Sequence, residues 1–373
     1  MIPPSGPDPL TPALSPRSGG EGRVRESLPQ FIAQLINLAA NRRLVLVNEF
    51  IPQDSISTSD KQRGIEVVAI EKVSVIGLGL MGTPIATLLM KAGYQVTGFD
   101  VIKKQMANLG PLGLRAAKSP KGAAKGADLI LLSLPTWESV LEVVEGKDGV
   151  AAAARKGQIV ADTSTSPPWE SRALGQRLVK RGIEWMDVPI SGSSAQARVG
   201  NMVFMVGGKR SIFEKIKPVF DQIGKKTVYA GKSGDGATLK LVINHTLYLN
   251  EAAAIEGLVL GLNAGLNPDV LFNVITSGAA SSDLLLARGK DMLNGNFSPK
   301  GPVVLANKDL ALSLEMAKQL GIVLPVGALY QQLLLKAHYN GWDRKDATVV
   351  MRIYQQLASR ADYAKKTIPK RTS

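Results

Sequence analysis

The stretch 73–100, VSVIGLGLMGTPIATLLMKAGYQVTGFD, constrains the fold more than any other part of the chain. An apolar run (Val73, Val75, Ile76) ends in Gly77-Leu78-Gly79-Leu80-Met81-Gly82, a helical pattern follows, and a second apolar run closes on Asp100. In this order of strand, glycine turn, helix, strand and acid, Gly77 permits a tight turn. Gly79 lets backbone come close to an anion, and Gly82 lets the helix pack on the strand. Free N–H groups at the helix start attract negative charge. Asp100 lies 18 positions beyond Gly82, the spacing at which a carboxylate grips a ribose diol. Together these features form a dinucleotide-binding fingerprint spanning Gly77, Leu78, Gly79, Leu80, Met81, Gly82 and Asp100.

With 373 residues the chain is long enough for two domains, each with its own core. It has no cysteine, which excludes disulfides, thiolate metal sites and a cysteine nucleophile. That composition fits a reducing compartment, and we expect a cytoplasmic protein. The two histidines, His245 and His338, are too few for a histidine-rich metal site, so no metal is expected. A formal charge of +14 favours anionic substrates and cofactors. No aromatic-interleaved basic stripe points to nucleic acid. The basic residues are scattered apart from a cluster at Lys365, Lys366, Lys370 and Arg371.

Residues 1–71 read as a flexible extension outside the fold. Their start is rich in Pro, Ser and Gly and poor in large apolar residues. It lacks the basic start and apolar core of a secretory signal. Residues 31–47 carry apolar positions at helical spacing and could form an amphipathic helix. The run PLTPALSPRSGGEGR resembles translated intergenic repeats, which would place the native start later in the chain.

From 72 to 232 the pattern alternates. Strands are expected at 73–76, 95–100, 128–133, 158–162, 183–187, 202–206 and 226–230, with helices at 82–92, 137–144, 169–181 and 211–222. Such alternation predicts an α/β domain with a parallel sheet covered on both faces. From 233 to 373 strand signals disappear. Residues 236–262 read as one long helix, in which Asn250, Glu251 and Glu256 argue against a membrane span. Further helices are expected at 268–276, 281–293, 307–320, 325–339 and 346–356, with breaks at Gly321, Pro325 and Gly341. The second domain is therefore expected to be all-α.

Several stretches carry groups that could do chemistry. Leu134-Pro135 and the DTST run at 162–165 follow strands, where ligands sit in open α/β sheets. The stretch DVPISGSS at 187–194 offers small hydroxyls and N–H groups able to cradle a carboxylate, or simply a loop. In GDGATLKLVIN at 234–244, Lys240 and Asn244 are four apart and share one helix face. Lys240 is flanked by Leu239, Leu241, Val242 and Ile243, a setting that disfavours the charged ammonium and suits a proton donor. A surface lysine snorkelling from an amphipathic helix is the plain alternative. His245 points about 100° away from Asn244 and reads as structural. Lys308-Asp309 opens a later helix, where charge complementarity with the helix end is also possible.

Four segments, GLGLMG, DVPISGSS…ARVGNM, GDGATLKLVIN and KDLALSLEMA, resemble in order and spacing the β-hydroxyacid dehydrogenases. That family includes 3-hydroxyisobutyrate dehydrogenase and tartronate semialdehyde reductase, with 6-phosphogluconate dehydrogenase more distant. The resemblance covers about 72–357 and implies a Rossmann domain, a helical substrate and dimerisation domain, and an active site between them. On that resemblance Gly77, Gly79 and Gly82 hold the pyrophosphate, Asp100 the ribose, and Leu134, Pro135 and Thr165 line the cofactor. Ser191, Gly192 and Ser193 bind the substrate carboxylate, Asn244 orients the substrate, and Lys240 is the acid/base. Lys308 and Asp309 close the cleft near the nicotinamide. The implied reaction passes hydride between nicotinamide and a short β-hydroxy acid or its semialdehyde, in a homodimer or homotetramer that needs no nucleic acid or membrane.

The chain departs from the family pattern at three places. Ser193 replaces a glycine and would tighten the carboxylate cradle. Gly301 replaces an aromatic residue and would open the pocket to bulkier substrates. The N-terminal extension is extra. Asp100 favours NAD by repelling a 2′-phosphate, while Lys103 and Lys104 leave NADP open. Alternatives are an imine reductase on the same scaffold, against which Lys240 speaks, and a silent nucleotide-binding or interaction protein.

Overall fold

The computed structural model describes residues 70–359. The expected extension up to residue 69, the helix expected at 31–47 and the basic cluster at 365–371 lie outside the described residues.

The first lobe alternates as its sequence dictates. Strands β1 (Lys72–Ile76), β2 (Gln95–Phe99), β3 (Arg115–Ala116), β4 (Leu129–Leu132), β5 (Ile159–Asp162) and β6 (Glu184–Asp187) are parallel, in the order β3-β2-β1-β4-β5-β6. Strand β4 shows why the runs are apolar throughout. Leu129 and Leu131 enter the core on one face of the sheet, and Ile130 and Leu132 enter a second core on the other. A strand buried on both faces has no polar side to alternate with. Helix α1 (Gly82–Lys91) crosses from β1 to β2, and α4 (Trp137–Glu145) leads from β4 towards β5. Between these lie the short α2 (Lys103–Leu109) and α3 (Pro120–Ala124), and α5 (Pro168–Lys180) follows β5. The strand order reverses between β1 and β4, so their carboxyl ends open a crevice flanked by Gly77 and Ser133.

Beyond β6 the expected parallel sheet becomes mixed. The connection to β8 (Val203–Gly207) holds only β7 (Ile190–Ser191) and α6 (Ser194–Arg198). Its one helix has 5 residues, too few to carry the chain back along the sheet, and β8 runs antiparallel to β6 and β7. Helix α7 (Arg210–Ile223) does cross over, so β9 (Lys226–Gly231) pairs with β8 in parallel.

The second lobe is helical among the described residues. Helix α8 (Asp235–Asn263) has 29 residues, about 43 Å of helix. It is followed by α9 (Pro268–Ser277), α10 (Asp283–Leu293), α11 (Val303–Leu320), α12 (Pro325–Tyr339) and α13 (Met351–Ser359). Boundaries follow capping chemistry. Asn267 and Ser282 accept N–H groups of α9 and α10, Pro268 and Pro325 begin their helices, and left-handed Gly321 ends α11. A core of its own, built on Ile255, Leu258, Leu310, Tyr330 and Leu334, holds this lobe together. Helix α11 starts at Val303 rather than 307, because Pro302 supplies its N-cap backbone. Residues 347–350 form a 3₁₀ turn ahead of α13.

No helix among the described residues is long and apolar enough to cross a membrane.

Candidate active site

Gly77 is left-handed (φ 90°), and a Cβ there would stand 2.2 Å from the Ser133 carbonyl oxygen. At Gly82 a Cβ would meet the Gly77 carbonyl oxygen at 1.8 Å. These two glycines are required by the protein's own packing. Gly79 is different, since nothing lies within 4 Å of its added Cβ and the residue borders open space. No side chain caps α1 and no acid occupies its first turn; the Thr83 and Ile85 N–H groups donate to the Gly79 and Met81 carbonyls at 3.1 and 3.2 Å, and Pro84 has none to offer. Asp100 fixes the turn from the side. Its carboxylate accepts the Leu78 N–H at 2.7 Å and the Ile102 N–H at 2.7 Å.

The space is a cavity of about 820 Å³ running from Asp100 past Gly79, Leu80 and Met81 to Leu134, Pro135, Thr165 and Gly192. Its far wall belongs to the helical lobe and carries Lys240, Lys308 and Asp309. Leu78 and Gly82 shape the turn from behind, and Ser191, Ser193 and Asn244 stand outside the lining. The cavity's two strand-end loops are tied together by members of the DTST run. Ser164 Oγ accepts the Leu134 N–H at 3.0 Å. Buried Asp162 accepts the Ser164 N–H at 3.0 Å and the Ser166 hydroxyl at 2.7 Å, while its burial pushes its carboxyl up.

Lys240 sits on α8, half-buried in the cavity wall. Burial holds its ammonium below the ordinary lysine range; the Asp309 carboxylate opposes that shift and the Lys308 ammonium adds to it. Asn244, one turn along the same face, donates its amide to Asp309 Oδ2 at 2.7 Å. Asp309 Oδ1 lies 2.9 Å from Lys308 Nζ. Lys308 in turn reaches the first lobe, donating to the Thr165 carbonyl at 3.1 Å. Lys240, Lys308 and Asp309 therefore form one charged group in the cavity wall, with buried Asn244 holding Asp309 from behind.

The loop after β6 behaves in two parts. Gly192, with φ 145°, faces the cavity. Ser193 instead caps α6, its Oγ accepting the Gln196 N–H at 3.3 Å while its own N–H donates to Gln196 Oε1 at 2.8 Å. His245 packs away from the cavity against Gly327. Gly301 is not at the cavity. Its N–H donates to Asp346 at 2.8 Å, and a Cβ there would lie 2.9 Å from Arg288, so the expectation of a widened pocket has no geometric basis.

The cavity thus joins the glycine turn and the Asp100 carboxylate of the first lobe with a depressed lysine of the helical lobe. Residues 72–231 match the family described as the NAD binding domain of 6-phosphogluconate dehydrogenase. Residues 234–354 match the NAD-binding family of NADP-dependent 3-hydroxyisobutyrate dehydrogenase. The chain is 33% identical over 287 residues to 2-(hydroxymethyl)glutarate dehydrogenase of Eubacterium barkeri, an overlap of 77% of this chain and 95% of that one. It is 32% identical over 290 residues to 2-hydroxy-3-oxopropionate reductase of Escherichia coli, covering 77% and 98%. A crystal structure described as 3-hydroxyisobutyrate dehydrogenase from Salmonella typhimurium superposes with a TM-score of 0.70 at 28% identity, over 76% of this chain and 99% of that one. Fold, site and relatives agree, and the chain belongs to the β-hydroxyacid dehydrogenase family, NAD(P)-dependent oxidoreductases acting on CH–OH groups.

Proposed function

We propose that this enzyme interconverts a short β-hydroxy acid and its semialdehyde, of the 3-hydroxyisobutyrate or tartronate semialdehyde type, with Lys240 as general acid/base and NAD as the preferred cofactor. The observation that carries the reading is the depressed Lys240 ammonium in the wall of the same cavity as the glycine turn and Asp100. In this reading residues 72–232 bind the nucleotide, and the helical lobe from 233 onward completes the substrate site and pairs subunits in a homodimer or homotetramer.

Bound nicotinamide supplies the hydride acceptor or donor. The chain's own residues bind, orient and move the proton. The Gly192 N–H and the Ser191 hydroxyl hold the substrate carboxylate, with Ser193 keeping that loop rigid through its cap. Asn244, its amide fixed by Asp309, orients the substrate along the Lys240 face. Lys240 Nζ takes the hydroxyl proton in oxidation and returns it to the carbonyl oxygen in reduction, help of a kind that contributes ~10²–10⁴-fold. Lys308 and Asp309 close the cleft from the helical side. Asp100, held between two backbone N–H groups, presents its remaining lone pairs to a ribose diol and repels a 2′-phosphate.

The printed names of the relatives support the substrate class. Both 2-(hydroxymethyl)glutarate and 2-hydroxy-3-oxopropionate carry the reacting carbon one bond beyond the α-carbon of a carboxylate. The test is a panel of 3-hydroxyisobutyrate, glycerate, tartronate semialdehyde, succinic semialdehyde and glyoxylate with NAD and NADP in the matching redox state. Activity on one of the first three, with NAD favoured, supports the reading. Lys240→Ala should abolish turnover while cofactor affinity stays near wild type, and retained turnover removes Lys240 from the chemistry.

A further inference from the structure

A second cavity, of about 560 Å³, lies on the outer side of the glycine turn and shares Gly79 and Leu80 with the first. The two spaces therefore meet at the backbone where a diphosphate would sit. The second is lined by neutral groups of α1 and α2, including Thr83 and Gln105, with one charged side chain, Arg198. Arg198 is the last residue of α6, exposed, and makes no ion pair among the described residues.

Charge makes this placement informative. The main cavity carries four carboxylates, Asp100, Glu138, Glu142 and Asp309, against two ammonium groups, Lys240 and Lys308, both on the helical lobe. A dinucleotide diphosphate bears two negative charges, and at the glycine turn the main cavity is lined by Gly77, Gly79, Leu80 and Met81 with no cationic side chain among them. The one cation bordering the turn is on the other side, at Arg198. Helix α6 packs against α1 and is fastened at its start by the Ser193–Gln196 capping box, so Arg198 is carried on a fixed element rather than a loose tail.

We propose that Arg198 binds the cofactor diphosphate from the outer side of the glycine turn, supplying the positive charge that the turn itself lacks. The proposal rests on the nucleotide-site reading above. Because α6 grows directly out of the 191–193 loop, the same contact couples that loop to cofactor binding. Guanidinium suits the task, since its fork can meet two phosphate oxygens at once.

The test compares NADH, ADP-ribose and adenosine binding to wild type, Arg198→Ala and Arg198→Lys by fluorescence and calorimetry. In Arg198→Ala, NADH and ADP-ribose should bind ~10-fold more weakly, as expected for loss of one partly solvated charge-assisted hydrogen bond. Adenosine, which has no diphosphate, should bind unchanged, and Arg198→Lys should recover part of the loss. Added salt should weaken ADP-ribose binding less in Arg198→Ala than in wild type. Wild-type affinity for ADP-ribose in Arg198→Ala, or an equal loss for adenosine, overturns the proposal while leaving the nucleotide site intact. Wild type that fails to bind ADP-ribose overturns the nucleotide-site reading, and the role of Arg198 falls with it.

Discussion

The carboxylate of Asp187, at the end of β6, accepts the Gly234 N–H at 2.7 Å, and its other oxygen accepts the Ala237 N–H at 2.9 Å. A strand end in the sheet thus caps the helix that carries Lys240, and both partners are buried. Arg172 on α5 adds a second tie, donating to the Ser233 carbonyl at 3.1 Å. The position of Lys240 is therefore set by the nucleotide lobe as well as by its own helix.

Asp187→Ala should lower stability by about 2–4 kcal/mol, because it strands two buried N–H groups at a helix start. Turnover should fall further than cofactor affinity, since the cap sits at the base of the Lys240 helix and away from the glycine turn. Urea unfolding and NADH titration of the same variant check both halves. A variant as stable as wild type would mean that the cap is dispensable.

The glycine turn offers a contrast inside one motif. Gly82→Ala drives a methyl into the Gly77 carbonyl and should lower the unfolding temperature sharply. Gly79→Ala meets no protein atom within 4 Å, so it should fold as wild type and lose cofactor affinity instead. Thermal melts with and without NADH separate the two effects. Equal destabilisation by both substitutions would contradict the idea that Gly79 is reserved for the ligand.

Most of the fold was legible because its signals are local. Apolar runs buried on both faces, a spaced glycine turn and proline or glycine punctuation at helix ends each announce themselves within a few residues. What escaped was long-range or very short. The two-residue β3 and β7 carry too few side chains for any period, and the reversal of β8 follows from the short helix in the connection before it rather than from its own sequence. At the site the glycine turn and the burial that lowers the Lys240 ammonium were legible, but the opposing charges of Asp309 and Lys308 were not. Its chain neighbours suggested an apolar pocket, yet Leu241 is buried and Val242 is half exposed, so adjacency along the chain does not by itself define that burial. Adjacent residues on a helix point in different directions. Ser164 and Asp187 act through partners in other segments, which no single-chain spacing displays.

Two neighbours act on Lys240 with opposite signs, and this yields a paired prediction. With Lys240 as the proposed acid/base, reduction uses the protonated amine, so its rate falls as pH rises through the Lys240 pKa, and oxidation does the reverse. Asp309 holds that pKa up and Lys308 holds it down. Asp309→Asn should therefore move the alkaline limb of reduction to lower pH, and Lys308→Met should move it to higher pH. Profiles of kcat/KM against pH for both variants check this. Shifts in the same direction would mean that the limb belongs to another group.

A second buried carboxylate lies further along α8 and bears on stability rather than chemistry. Glu251 accepts the Tyr330 hydroxyl at 2.6 Å and lies 3.2 Å from Arg288, which it shares with Asp346. Burial outweighs the lowering effect of Arg288 and of the Tyr330 hydrogen bond, and pushes Glu251 from 4.5 to about 7. Between those values the folded protein binds a proton that the unfolded chain has released, so this group's contribution is full below pH 4.5 and falls as pH rises towards 7. The slope cannot exceed about 1.4 kcal/mol per pH unit for one proton. Glu251→Gln keeps an acceptor for Tyr330 and removes the titration. Its stability relative to wild type should therefore rise from pH 4.5 to 7 and level off above, which urea midpoints across that range will measure. A difference that stays flat with pH would mean that Glu251 ionises in the folded protein as an ordinary glutamate does, with Arg288 fully compensating its burial.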